Sequence, residues 1–104
     1  MMNKKDRAKE YSTALFMLAK EEHSHEEYLA ALEKVSKAFE QVPEYMIFLS
    51  SPSIPKFDRI TALEQAFATR VPKHVLSLLQ ILCEKNCIKS FKRCAEEYVK
   101  LYNA

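Results

Sequence analysis

The chain has 104 residues, of which 48% are apolar and 29% charged, with a net charge of +2 and no glycine. This balance predicts one folded domain over residues 1–104 and excludes a disordered chain. The lack of glycine excludes the glycine-rich phosphate loops of nucleotide-binding proteins. The small net charge is no argument for nucleic-acid binding. Three cysteines cannot all pair internally, which favours a reducing compartment.

Two helices are predicted in the first part of the chain. The first runs from about Lys5 to Glu22, and the second continues to about Gln41. Ser24, followed three residues later by Glu27, predicts a capping box at the start of the second helix. The apolar residues of the second helix recur at spacings of three and four, as on a helix with one buried face: Tyr28, Ala31, Leu32, Val35, Phe39 and Val42.

A short third helix and a fourth helix are predicted in the middle of the chain. Proline favours the first turn of a helix, so the third helix is expected to begin at Pro43. The run from Ser50 to Pro55 is rich in serine and proline and predicts a loop. The fourth helix is expected to start at Pro55 or Lys56. Its predicted apolar side consists of Phe57, Ile60, Leu63 and Phe67.

Two further helices complete the prediction. Pro72 opens the fifth, which runs to about Lys85, and Asn86 is predicted to end it in the left-handed conformation that glycine usually adopts there. The sixth begins near Ile88. Its apolar side consists of Ile88, Phe91, Ala95, Tyr98, Val99 and Tyr102. Because no strand pattern of any length occurs, the predicted fold class is all-α, a compact six-helix bundle with short loops.

The first and fifth helices carry more apolar surface than a single core requires. A helix that faces one core has an apolar stripe roughly 100° wide. The apolar residues of the first helix cover roughly 200° and those of the fifth roughly 220°. Either both helices are central and covered by the other four, or each keeps an open face. In the second case the two helices would form a groove for an amphipathic helix of another chain.

No set of polar residues predicts catalysis. The serines lack a histidine and an acid placed to activate them, and neighbouring carboxylates on a helix point in different directions. We therefore expect no catalytic residue and no cofactor. A zinc enzyme is a weak alternative, because its candidate ligands match no standard zinc spacing: Cys83, Cys87, Cys94 and His74.

A small helical DNA-binding regulator is a further alternative. It would use the basic residues of the last helix, which are Lys89, Lys92, Arg93 and Lys100. Glu96 and Glu97 interrupt that stripe, and a phosphate-binding surface would not favour carboxylates. A steep loss of DNA binding with salt would distinguish this alternative.

Three segments, in order, resemble a known family. They are Tyr11-Ser12-Thr13-Ala14-Leu15-Phe16-Met17-Leu18-Ala19, then Leu49-Ser50-Ser51-Pro52-Ser53-Ile54, then Leu78-Leu79-Gln80-Ile81-Leu82-Cys83-Glu84-Lys85-Asn86. Arg59, Leu63 and Phe67 follow the second segment, and Ile88, Phe91, Glu97 and Tyr98 follow the third. Together they resemble the N-terminal domain of the delta subunit of bacterial ATP synthase, the counterpart of the mitochondrial oligomycin-sensitivity-conferring protein. The family usually has arginine where this chain has Cys87 and a basic residue where it has Glu10. Family members also continue into a C-terminal segment, which we expect to be missing after Ala104.

The resemblance implies a non-catalytic stator subunit of the peripheral stalk of a proton-driven ATP synthase. It implies a place at the cytoplasmic face of the bacterial inner membrane, held there through the complex. The first and fifth helices would bind the N-terminal helix of an alpha subunit, and the missing segment would bind the stalk b subunit. No nucleic acid or small-molecule substrate is implied. Carried over by position, the groove residues are Tyr11, Ala14, Leu15, Leu18, Val75, Leu78, Leu79, Ile81 and Leu82, some of which must face the core instead.

Overall fold

The computed structural model describes the backbone of residues 4–104 and the side chains of residues 7–104. It contains six α-helices, which confirms the predicted all-α bundle, and residues 4–104 include no strand. The helices are α1 (Lys4–Glu21), α2 (His25–Gln41), α3 (Pro43–Leu49), α4 (Lys56–Phe67), α5 (Lys73–Glu84) and α6 (Phe91–Asn103). A short 3-10 turn, Ile88–Ser90, leads into α6.

Helix α6 is in contact with both α1 and α2. It packs along α1 and against α2, while α5 packs against α4 and α1. The hydroxyl of the buried Tyr98 donates a hydrogen bond to the backbone carbonyl of His25 over 2.9 Å. The Tyr98 ring meets Phe16 of α1 edge-on, with the ring centroids 5.5 Å apart. Tyr98 therefore ties α6 to both neighbouring helices, and its burial raises its pKa to about 12.

The aromatic contacts also fix the direction of α6 relative to α2. Tyr98, near the end of α6, reaches His25 at the start of α2. Phe91, at the start of α6, packs edge-on against Phe39 near the end of α2, with ring centroids 5.6 Å apart. The two helices therefore run antiparallel.

Two helices end at a residue with left-handed backbone angles, a conformation that favours glycine. Asn86 has a φ of 58° after α5, as the sequence predicts, and His23 has a φ of 55° after α1. In each case the amide of the next residue donates across the last turn over 2.8 Å, as from Ser24 to the carbonyl of Ala19. Both ends are Schellman-type caps made without glycine.

The predicted capping box at the start of α2 is wrong. The Ser24 side chain makes no cap hydrogen bond to α2. Its hydroxyl instead donates to the carbonyl of Glu22 over 3.0 Å. The reason is that the link between α1 and α2 is short, and Ser24 already completes the cap that ends α1. Its side chain consequently turns back toward the preceding residues.

Three residues that the helical periodicity assigns to the core are exposed: Val42, Phe57 and Val99. Val42 lies in the break between α2 and α3. Phe57 is 78% exposed because it stands in the first turn of α4, whereas Leu63 and Phe67 further along that helix are buried. Periodicity assigns a face to each helix but does not show how far along its length a neighbour covers that face.

Arg59 is a buried charged side chain, only 4% exposed. Its Nε donates to the carbonyl of Ile54 over 2.9 Å, and its Nη1 donates to the carbonyl of Leu49 over 3.3 Å. Nη1 also lies 3.5 Å from Oδ1 of Asn86. Among the side chains of residues 7–104, no carboxylate forms an ion pair with it. Arg59 thus joins the central loop to the ends of α3 and α5 through neutral acceptors.

Replacing His23 with glycine is expected to raise the free energy of unfolding by about 0.5–1 kcal/mol, because glycine adopts this backbone conformation without steric strain. Lys20→Gly, at an exposed position in the last turn of α1, is the matched control and should lower it by about 1 kcal/mol. Urea unfolding measures both changes. A His23→Gly protein that is less stable than the wild type would show that the left-handed conformation of His23 does not lower the stability of this helix end.

Arg59→Met is expected to lower the free energy of unfolding by about 2–4 kcal/mol, because the buried carbonyl of Leu49 and the part-buried carbonyl of Ile54 lose a charged donor. Arg93→Met, at an exposed position of α6, should change it by less than about 0.5 kcal/mol. Equal stability of the two variants in urea would mean that the desolvation of Arg59 cancels its hydrogen bonds.

Candidate helix-binding surface

A close contact between His74 and Glu22, which is an ion pair when His74 is protonated, joins the end of α1 to the start of α5. Nε2 of His74 lies 3.3 Å from Oε2 of Glu22. The same carboxylate accepts a hydrogen bond from the hydroxyl of Tyr28 on α2. The rings of Tyr28 and His74 lie 6.5 Å apart. Burial, together with the hydrogen bond and the negative charge of Glu22, raises the pKa of Tyr28. These contacts set the position of α5 relative to α1 at this end of the bundle.

A row of α1 residues leads away from this ion pair. Leu18 lies four residues before Glu22, Ala14 four before Leu18, and Tyr11 three before Ala14. Residues at these spacings are neighbours on one side of a helix. Ala14 is exposed, while Leu18 and Tyr11 are half-buried. The row is therefore an accessible, largely apolar edge of α1.

A second row leads away from the ion pair along α5. Leu78 lies four residues after His74, and Ile81 lies three after Leu78. Leu78 is almost covered, whereas Ile81 is 39% exposed. Because α1 and α5 are in contact and both rows start at the ion pair, the two rows border the same side of the bundle. We call them together the α1/α5 surface: Tyr11, Ala14, Leu18, Leu78 and Ile81.

The nine groove residues implied by the resemblance fall into two sets in the free domain. Five are buried in its core: Leu15, Val75, Leu78, Leu79 and Leu82. Four are accessible to different degrees: Tyr11, Ala14, Leu18 and Ile81. Most of the wide apolar arc of α5 is therefore buried in the core, where it packs below the α1/α5 surface.

Met17 and the ion pair are features of this surface that the sequence reasoning missed. Met17 is 62% exposed and lies three residues after Ala14, so it extends the apolar edge of α1 outward. Its spacing from Ala14 was a usable signal. The pairing of Glu22 with His74 had no local signal, because the two residues are brought together only by the packing of α5 on α1.

The candidate zinc ligands do not come together. In residues 7–104 no three histidine, cysteine, aspartate or glutamate side chains are placed to hold a metal ion. The three cysteines are free and buried, and His74 pairs with Glu22. Burial, with smaller contributions from Cys87 and Glu97, raises the pKa of the Cys94 thiol to about 12.

The basic residues of α6 lie among carboxylates. Lys92 shares a groove with Glu33 and Glu40 of α2, and Nζ of Lys100 lies 3.0 Å from Oε2 of Glu97. This arrangement gives no support to a basic stripe for phosphates. Separately, no helix in the described part of the chain is long and apolar enough to cross a bilayer.

Comparison with known proteins assigns the chain to a family. The family model for the ATP synthase delta (OSCP) subunit matches residues 8–104. The chain is 38% identical over 96 residues to ATP synthase subunit delta of Bacillus mycoides strain KBAB4. It is 36% identical over 96 residues to the subunits of the same name from Bacillus thuringiensis strain Al Hakam and Bacillus cereus strain AH820. Each match covers 92% of this chain but 53% of the relative, so the chain spans about half the length of these curated relatives.

The Cys94 thiol is expected to make the fold sensitive to alkali. It keeps its proton in the folded protein to about pH 12, whereas its ordinary pKa is 9.0. Below pH 9 both states are protonated and this group contributes no pH dependence. Above pH 9 the unfolded chain loses the proton first, so stability falls by up to about 1.4 kcal/mol per pH unit.

Urea unfolding between pH 8 and about pH 11 tests this expectation. Cys94→Ala should be less stable at pH 8 but should lose less stability as the pH rises. Val35→Ala, which shortens a buried side chain that does not titrate, is the control, and its decline should follow that of the wild type. Parallel declines in all three proteins would show that the pKa of Cys94 is not raised in the folded protein.

Proposed function

The chain belongs to the ATP synthase delta (OSCP) subunit family, and we propose on that premise that it is a structural stator component of a proton-driven ATP synthase. Its role is to bind and hold, and it makes or breaks no bond. The observation that carries the proposal is the α1/α5 surface, an accessible apolar edge supported by a packed core.

The proposed occupant of this surface is the N-terminal helix of an alpha subunit. An amphipathic helix recognises an apolar edge through side chains at spacings of three and four. Ala14, with its small side chain between Tyr11 and Leu18, leaves space for a second helix to approach α1. Met17 and Ile81 stand at the two borders and would cover its sides. The ion pair of His74 with Glu22 would hold the borders at a constant separation.

The mechanism is mechanical. Proton flow turns the rotor of an ATP synthase, and the catalytic head must be held against that torque. The domain would hold the head through the alpha helix at the cytoplasmic face of the bacterial inner membrane. The remaining half of the relatives' length would contact the stalk b subunit, which completes the connection between head and stalk.

The exposed apolar area sets the expected affinity. Full burial of a large aliphatic side chain contributes about 1.5–3 kcal/mol, and association costs at least about 4 kcal/mol. Since only a few anchors are accessible, an isolated alpha peptide should bind no more tightly than a Kd of about 1 μM, near −8 kcal/mol. In the assembled enzyme, further contacts of the same chains would raise the effective affinity.

Ala14→Glu is expected to weaken binding of a synthetic alpha N-terminal peptide at least about tenfold, because it places a carboxylate in an apolar contact. Ala14 is exposed, so the substitution leaves the core intact. The matched control is Ala30→Glu, on an exposed position of α2. Isothermal titration measures both, and circular dichroism checks the fold.

Binding should depend little on salt, because the contact is apolar. If the wild type bound no alpha peptide at low or moderate salt, the proposed partner would be wrong. If Ala30→Glu weakened binding as much as Ala14→Glu, the peptide would bind elsewhere on the domain.

A further inference from the structure

Two adjoining cavities between α2 and α6 form one groove. Their volumes are about 250 and 390 Å³, and they share Ser36, Glu40 and Lys92. We call this the α2/α6 groove. It has no residue in common with the α1/α5 surface. Since α6 packs on α1 with one side, its groove side remains available when α1 and α5 are occupied.

The α2/α6 groove is largely apolar at both ends, while Ser36, Glu40 and Lys92 line the stretch that the two cavities share. Phe39, Met46 and Phe91 line one end, and Leu29 and Val99 line the other. From Phe91 to Val99 the groove follows about two turns of α6, or about 12 Å. Val99 is 37% exposed although it belongs to the apolar side of its helix. An elongated apolar trough of this length matches the side of a short helix better than a compact small molecule.

The charges on the rim of this groove are unevenly distributed. Because α2 and α6 are antiparallel, Glu33 and Glu96 lie toward the Val99 end, together with Lys37. Lys89 and Lys92 lie toward the Phe91 end, together with Glu40. The acidic residues prevail at one end and the basic residues at the other.

None of these rim charges forms an ion pair with another side chain of residues 7–104. Within residues 7–104, the two ion pairs found join His74 to Glu22 and Lys100 to Glu97, and neither involves the rim. A largely apolar floor with a polar rim is the usual anatomy of a protein interface. The opposite signs at the two ends give such an interface a direction.

We propose that the α2/α6 groove is a second docking site, and that it takes an amphipathic helix from another chain. The helix would carry an apolar stripe of about two turns, a basic residue that reaches Glu33 and Glu96, and an acidic residue at its other end that reaches Lys89 and Lys92. The domain would then hold two foreign helices at once, one on each side of the pair α1 and α6. This inference does not depend on the identity of the α1/α5 partner.

Two synthetic amphipathic peptides with the same leucine stripe test the proposal. One carries arginine at one end of the stripe and glutamate at the other, and the second carries glutamine at both places. The charged peptide should bind the full chain at least about tenfold more tightly at low salt, and the difference should shrink as salt is added. Amide shifts in a nitrogen-15 spectrum should be largest at Ser36, Lys92 and Val99.

Matched variants locate the binding. Val99→Glu should weaken binding of the charged peptide at least about tenfold, while Ala14→Glu leaves it unchanged. Val99→Glu should in turn leave the alpha peptide bound as in the wild type, so failure of this proposal and failure of the α1/α5 proposal are distinguishable. Glu96→Lys should remove most of the advantage of the charged peptide over the neutral one.

Three results would overturn the proposal. Equal affinity for the two peptides, or none for either, would show that the rim charges recognise no helix of this kind. Loss of binding through Ala14→Glu in place of Val99→Glu would move the peptide to the α1/α5 surface. A dimer in sedimentation that Val99→Glu dissociates would make a second copy of this chain the occupant.

Discussion

The hydrogen bond from Tyr98 to the carbonyl of His25 is the contact on which the arrangement of this bundle depends. It ties the last helix to the start of α2, while the same ring lies against Phe16 of α1. A buried tyrosine hydroxyl requires a partner, so this bond also fixes how far α6 can slide or rotate between its neighbours. The aromatic contact of Phe91 with Phe39 fixes the position of the other end of α6 relative to α2. With α6 placed in this way, its two sides face different surroundings.

One side of α6 completes the core beneath α1, and the other borders α2 without filling the space between them. The apolar residues of α5 are largely consumed by the core, as the full burial of Val75, Leu79 and Leu82 shows. What remains outside is a narrow edge on α1 and α5 and a longer groove on α2 and α6. The edge is apolar and is bordered by Met17 and Ile81, and the groove is largely apolar with charged residues on its rim. Surfaces of this kind suit helix recognition. The proposed stator role requires surfaces of this kind and no reactive groups.

Much of the fold could be predicted from the sequence, because helices leave strong periodic signals and prolines mark their starts. Asn86 was correctly assigned as a left-handed helix end, since asparagine tolerates that conformation. His23 could not be assigned, because the need for a left-handed residue there arises from the short link between α1 and α2. Periodicity shows which face of a helix is apolar but not whether a neighbouring helix covers that face. It therefore could not show that Phe57 is exposed. For the candidate site, Ala14 and the wide arcs of α1 and α5 were visible in the sequence. Which of those residues the core would cover depends on how α5 packs, and no local pattern records that.

The most direct test of helix binding at the α1/α5 surface is a set of intermolecular nuclear Overhauser effects between the isotope-labelled chain and an unlabelled alpha N-terminal peptide. If the surface works as inferred, the methyl groups of Ala14, Met17 and Ile81 will show contacts to the peptide, while those of Leu79 and Leu82 stay inside the core. Contacts confined to Leu29 and Val99, with none at Ile81, would contradict it.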